Sequence, residues 1–408
     1  MYERKLIALA VAGALGIPAA ASAQQSTVQI YGKLYPEFTV AKTSGATPAG
    51  TSSSTLGKAP TGVDLKSRNS IDASNSRIGF RGTEGLGGSL KAIWQIETTV
   101  NVDDGASPAF ANRDSFVGLR GGFGTVRLGN MTTVFKDLGD PIGILGISSG
   151  NFVAMSNVIS SRVPFSTNSA GSFHLRRNNS ILYDTPEFGG LQFHVMYGPD
   201  ESRTGNLDAD LWSAGVEYKR GPIEVALAHE IHNDFFAGSN ALRTNGLTAL
   251  ANPVNGTGSA HSKDTGTRLT VLYRVGGARI SANIATIEFS ESGGAAGTFE
   301  NYKNNRWSLT WEQRWSPAPW RTTVAYGSSS AGSCSRVGAA CTTSGLDGTM
   351  LTLGTDYSFS KRTALFLLYA RINNGSAALY RNLANVSSSQ IPVGADIIQY
   401  AVGIRHSF

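Results

Sequence analysis

The sequence predicts an all-β fold, an antiparallel up-and-down barrel of about sixteen strands that closes on itself and crosses a membrane. Three observations predict it. Segments of alternating apolar and polar residues recur along the chain. Tight turns alternate with long loops from strand to strand. After residue 23 no apolar run approaches the ~20 residues that a spanning helix needs.

Alternation defines the strands. Val28, Ile30, Leu34 and Phe38 share one parity, and Gln29, Lys33 and Glu37 share the other. Successive side chains of a strand point to opposite faces, so this segment has one apolar and one polar face. The pattern returns with Trp94 and Ile96 against Gln95 and Glu97, and with Trp307, Leu309, Trp311 and Trp315 against Arg306, Glu312 and Arg314. Tyr400, Val402, Ile404 and Phe408 stack on one face of the last segment. The expected strands are 27–39, 67–84, 89–101, 112–121, 124–131, 173–185, 189–198, 211–220, 223–232, 264–275, 279–290, 303–315, 320–329, 347–358, 363–374 and 396–408.

The connections fix the architecture. Tight turns at Gly85–Gly88, Gly121–Gly124, Arg220–Pro222, Gly276-Gly277 and Ser316–Pro319 alternate with longer Gly-, Ser- and Asn-rich loops. Short turns at one end and long loops at the other describe an outer-membrane barrel, whereas a β-sandwich seldom has strands this long with this rhythm. Closure also pairs every strand edge, which lipid requires. Mean hydropathy is −0.11, with 41% apolar residues. Such soluble-looking averages are expected when lipid-facing and lumen-facing residues cancel. Forty-eight glycines suit many turns. Tyr31, Tyr183, Tyr197, Tyr273, Trp315, Trp320 and Tyr400 lie near strand ends and are candidates for interfacial girdles.

The N-terminus reads as a secretory leader. Arg4 and Lys5 precede an apolar run, Leu6–Ala21, that ends on Ala21-Ser22-Ala23. Cleavage after residue 23 leaves 24–408 as one barrel domain; losing Glu3, Arg4 and Lys5 takes the formal charge from +6 to +5. The Lys and Arg residues are scattered and the chain is exported, so nucleic acid is not an expected partner and anionic solutes are. Cys334 and Cys341, close together in an exported chain, read as a disulfide closing a small loop, with a reduced pair as the alternative. No enzyme, cofactor or metal is expected. No Gly-rich dinucleotide or phosphate pattern occurs, and His229 and His232 would face opposite sides of a strand.

Several motifs resemble the general porins of Gram-negative bacteria. They are Tyr31-Gly-Lys33, Asn75–Glu84, Leu90–Glu97, Asn112–Leu119, Phe123–Gly129, Arg176–Tyr183, Tyr357–Thr363 and Gly403–Phe408. Each is weak alone, and their order along the chain is what carries the resemblance. It implies a homotrimer of sixteen-stranded barrels in the outer membrane, each a water-filled diffusion pore. It also implies contacts with membrane lipid and lipopolysaccharide, and a third external loop, here 132–172, folded into the lumen. Phe408 would be the terminal aromatic read by the outer-membrane assembly machinery.

The resemblance further implies a constriction where basic wall residues face acidic groups on the inward loop. Lys33, Arg77 and Arg113 match the basic positions, and alternation puts Lys33 on the polar face. Arg176 is the fourth by parity with Asn178, Ser180 and Asp184, whereas Arg177 would face lipid or a loop. Asp137 and Asp140 are the only carboxylates of the 132–172 segment, and Glu97 is expected near the arginines. Asp140-Pro-Ile-Gly143 lacks the aromatic residue usual after the proline in that family. An excess of guanidinium would favour small anions among hydrophilic solutes. Two other readings of the same barrel are a substrate-specific channel, and an adhesin or phage receptor working through the loops at 40–66, 233–263 and 375–395.

Overall fold

The computed structural model describes the chain apart from residues 1–25, 52–53, 74, 107, 147–151, 161–162, 167–170, 202–204, 254–258 and 383–390. The expected leader, 1–23, lies outside the described residues.

Sixteen antiparallel strands close into a barrel. Strand β1 comprises Ser26–Leu34 and Glu37–Ser44, broken at Tyr35-Pro36. Strand β2 comprises Arg68–Asp72 and Arg77–Gly87, and the two halves of β1 pair with the two halves of β2. Pro36 has no N–H for the ladder. Its carbonyl accepts from Ile404 N, and Tyr35 N donates to Ser76 Oγ at 2.7 Å, so the break leaves those groups satisfied. The next strands are β3 Leu90–Thr99, β4 Ser115–Gly121, β5 Gly124–Thr132, β6 Arg176–Asp184, β7 Leu191–Gly198 and β8 Leu211–Arg220. They are followed by β9 Ile223–Asn233, β10 His261–Val275, β11 Ala278–Ser292 and β12 Phe299–Trp315. The last four are β13 Trp320–Ser329, β14 Gly348–Ser358, β15 Thr363–Asn374 and β16 Asp396–Ser407.

Strand β16 returns to β1, with Asp396 opposite Ser44, Gly403 opposite Glu37 and Lys33 opposite Ser407. Gly32 and Phe408 exchange both backbone bonds at 3.0 and 3.1 Å, so the terminal residue completes the seam. Among the turns, Gly124 needs to be glycine. Its φ is +106°, and a Cβ there would lie 2.2 Å from the Asp184 carbonyl.

Burial is inverted relative to a soluble protein. Val28, Ile30, Val117, Ile284 and Leu367 are 55–68% exposed, while Arg268, Arg306 and Glu312 are 1% exposed. The apolar parity therefore faces lipid and the polar parity faces the lumen. Trp315 and Trp320 pair across the Ser316–Pro319 turn, and Trp320, Tyr357 and Phe359 meet edge to face at one rim. Tyr31 departs from the girdle expectation. It lies inside, across Gly79, where a Cβ would come within 2.3 Å of its ring, and its hydroxyl donates to Glu97.

The segment between β5 and β6 folds into the lumen. It carries the short helices α1 (Val134–Asp137) and α2 (Ser156–Ile159). Ile144, Leu145, Phe152, Val153, Met155, Val158 and Ile159 pack on Met350, Phe366, Leu368, Ala370 and Ile372 of the lumen wall. Strand β15 is thus apolar on both faces, with Leu365 and Leu367 towards lipid. At ~1.5–3 kcal/mol per large apolar side chain, this seat contributes on the order of 10 kcal/mol before ordering costs. The loop is therefore part of the wall. Phe135, Val163, Phe165 and Phe173 form a second seat with Ile287, Phe289, Phe299 and Tyr302.

External loops cover the same half. Leu379 N donates to Pro164 O, Thr47 N to Val393 O, and Thr55 N to Thr342 O. The loop between β13 and β14 adds a short strand, Ser333–Arg336, beside the start of β12. In the same loop Cys334 and Cys341 form a disulfide, their Cα atoms 5.7 Å apart.

Candidate pore constriction

Glu97, near the end of β3, is the hub of the polar side. Arg113 Nε lies 2.5 Å from its Oε1, Arg77 Nε 3.5 Å from its Oε2, and the Tyr31 hydroxyl 3.1 Å from Oε2. Arg113 precedes β4 and is held by its own N–H, which donates to the Glu97 carbonyl at 3.1 Å. Lys33 on β1 stands directly opposite Arg77 in register. Further round the wall, Arg176 Nε donates to Asp114 Oδ1 at 2.6 Å, and Thr132 donates to the same carboxylate from its hydroxyl and N–H. Lys33, Arg77, Arg113, Glu97 and Arg176 therefore line one continuous strip of wall.

The inward loop meets this strip with a cation. The side chain of Lys136, in α1, has no hydrogen bond or ion pair among the described residues, and its electrostatic neighbours are Arg176, Asp114, Asp140 and Arg113. Burial, and then the adjacent Arg176 guanidinium, lower its ammonium to about 8. Five basic residues (Lys33, Arg77, Arg113, Lys136, Arg176) thus face three carboxylates (Glu97, Asp114 and, beside Asp114, Asp137), so basic groups are in excess. Lys136 and Asp114 were not among the sequence candidates. Asp114 precedes β4 beside Arg113, where the chain is not yet regular strand and parity gives no face.

The loop carboxylates are placed otherwise than expected. Asp140 anchors the loop: its Oδ1 is 3.1 Å from Arg268 Nη2 on β10 and its Oδ2 is 3.6 Å from His174. Arg268 also donates to the Gly139 carbonyl and, at 3.0 Å, to Asn283. Burial alone would raise the Asp140 carboxyl, but Arg268 and then His174 hold it below the usual range. With Ile142 after the proline, the loop turns on this ion pair rather than on an aromatic contact. Asp137 is exposed and lines a 210 Å³ cavity with Asp114, Arg127, Asp184 and His194. Enclosure by the barrel, and then Asp114, push its carboxyl up. Arg127, Asp184, His194, Glu217 and Lys219 form a chain of ion pairs there.

Arg177 turns away from the strip and donates to the carbonyls of Pro199 at 2.8 Å and Ala209 at 3.1 Å. His229 bonds Thr267 while His232 is buried between Phe173 and Phe235, so the two do not converge. Gly146-Ile-Ser-Ser-Gly150 has the Gly-x-Ser-x-Gly spacing of a hydrolase elbow. It follows a 3-10 turn in the inward loop rather than a strand, and Ser148 lies outside the described residues, so the spacing alone carries no nucleophile.

A family profile described as Gram-negative porin matches residues 8–377. The chain belongs to this family. It is an outer-membrane porin, a β-barrel diffusion channel. Major outer membrane protein P.IA of Neisseria meningitidis serogroup C is 29% identical over 365 residues, 84% of each chain. A P.IB protein of N. meningitidis serogroup B strain H44/76 is 33% identical over 169 residues, 40% of this chain and 45% of that one. Among solved structures, the anion-selective porin from Comamonas acidovorans superposes with a TM-score of 0.66 at 23% identity, covering 94% of this chain and 100% of that one. OmpT of Vibrio cholerae gives 0.57 at 15%, covering 97% and 99%.

Proposed function

We propose that this porin passes small hydrophilic anions in preference to cations. The excess of basic over acidic groups around Glu97 and Asp114 carries the reading. Where a narrow aqueous gap has low-dielectric walls, fixed charge of one sign raises the local concentration of the opposite ion. Because Lys136 lies on the loop side, basic groups stand on both sides of the gap, with Asp137 the exposed loop carboxylate beside it. Arg77, Arg113 and Arg176 keep their charge beside other cations because guanidinium does not deprotonate in proteins. The Comamonas acidovorans porin, which shares the fold, is anion-selective, in keeping with this reading.

Liposome swelling tests it with solutes of similar size. Gluconate should enter faster than glucosamine at low ionic strength, and the difference should shrink as salt shortens the Debye length from ~30 Å at 0.01 M to ~3 Å at 1 M. Faster entry of glucosamine would overturn the reading. Passage needs no chemical step, and the chain is read as a channel without catalytic activity. A homotrimer is proposed with it, in keeping with the trimer form described for V. cholerae OmpT. Phe408, at the closing seam, is proposed as the assembly signal.

A further inference from the structure

A second group of cations stands at the short-turn end of the barrel, the periplasmic mouth. A cleft of about 460 Å³ opens there, lined by Arg314, Arg321, Lys361 and Arg405 together with Asp356. The residues come from several elements. Arg314, at the end of β12, pairs in register with Arg321 on β13, Lys361 lies in the turn between β14 and β15, and Arg405 is near the end of β16. Asp356 is shared: Arg321 pairs with it, and Arg405 Nη2 is 3.3 Å from its Oδ2. Glu312, 3.7 Å from Arg321, is outside the lining and is held by Arg279 at 2.7 Å. Arg314 and Lys361 are exposed and have no ion-pair partner among the described residues. Four lining cations against one lining carboxylate leave an excess of three.

The geometry points to a binding site for small multivalent phosphates in this cleft. A monovalent anion can satisfy one or two of these donors. An ion with several anionic oxygens can engage guanidinium groups arriving from different strands, and such charge-assisted forks are among the stronger hydrogen bonds. The site lies in the lumen mouth, so an occupant obstructs the chloride path. The inference rests on the anion-preferring reading and extends it from a gradient of small anions to a specific stop at one end.

Pyrophosphate added to one side at a time of single trimers in a planar bilayer tests it. In the wild-type chain pyrophosphate should reduce chloride current at lower concentration from one side than from the other. Lys361→Gln and Arg314→Gln should each raise the half-blocking concentration on the sensitive side roughly threefold and leave the other side unchanged. Both residues are exposed at the rim, and unchanged conductance at high salt confirms intact pores. Equal block from both sides, no block, or block unaffected by the two substitutions would each overturn the site. The wild-type reversal potential in potassium chloride, measured on the same channels, reports separately on the anion-preferring reading.

Discussion

At the scale of single residues, the least expected feature is Lys136. The sequence pointed to its neighbour Asp137 because the resemblance places acids on the inward loop, and neither periodicity nor composition says which residue of a short helix meets the wall. Glu97 was legible because it sits on a strand whose alternation assigns its face, and Arg77 and Arg113 because they match basic positions of the family's motifs. Asp140 was legible as a loop carboxylate, but its partner Arg268 is 128 residues away in sequence, beyond any local pattern. Lys136 also makes a pH prediction. Its ammonium, held to about 8 by burial and by Arg176, is protonated below that value and neutral above it. The groups around it are Arg176, Asp114, Asp140 and Arg113, so deprotonation removes one of five cations from a site that keeps its arginines. Anion preference should fall as pH rises from ~7 to ~9, about one unit either side of that value, and Lys136→Met should lessen that fall. A wild-type selectivity flat over this range would contradict the assignment.

At the scale of elements, the sixteen strands were readable to within a few residues at most ends, because lipid on one side and water on the other enforce period-two alternation. Two things were not. The breaks at Tyr35-Pro36 and between Asp72 and Arg77 face each other across the β1–β2 pair, a matching that only the register reveals. Strand β15 keeps an apolar residue on both faces at Leu365–Leu368, because its lumen face is covered by the inward loop rather than by water. This seat holds the loop. Val158, fully buried in it, is a direct probe. Val158→Asp places a carboxylate inside this apolar cluster, a penalty of several kcal/mol that the loop can relieve by leaving the wall. Single-channel recordings should then show current fluctuations absent from the wild type, with the barrel still assembled. Quiet recordings of the assembled variant would show that the apolar seat does not fix the loop.

At the scale of the whole molecule, the charge that matters is local. A formal net charge of +6 over 408 residues says little about the pore. What the fold does is place the apolar loop against β11–β15 and gather Lys33, Arg77, Arg113 and Arg176 on another stretch of the wall. Selectivity should therefore respond to one residue on that strip. Arg113→Glu replaces the partner of Glu97 by a second carboxylate and shifts the local balance by two charges towards the acidic side. The reversal potential of wild type and Arg113→Glu, recorded side by side across a potassium chloride gradient, tests the basic constriction most directly. The wild type should show the sign of chloride permeation, and the variant should move towards potassium with conductance largely kept. A wild-type potential of the potassium sign, or a variant with an unchanged potential, would contradict it.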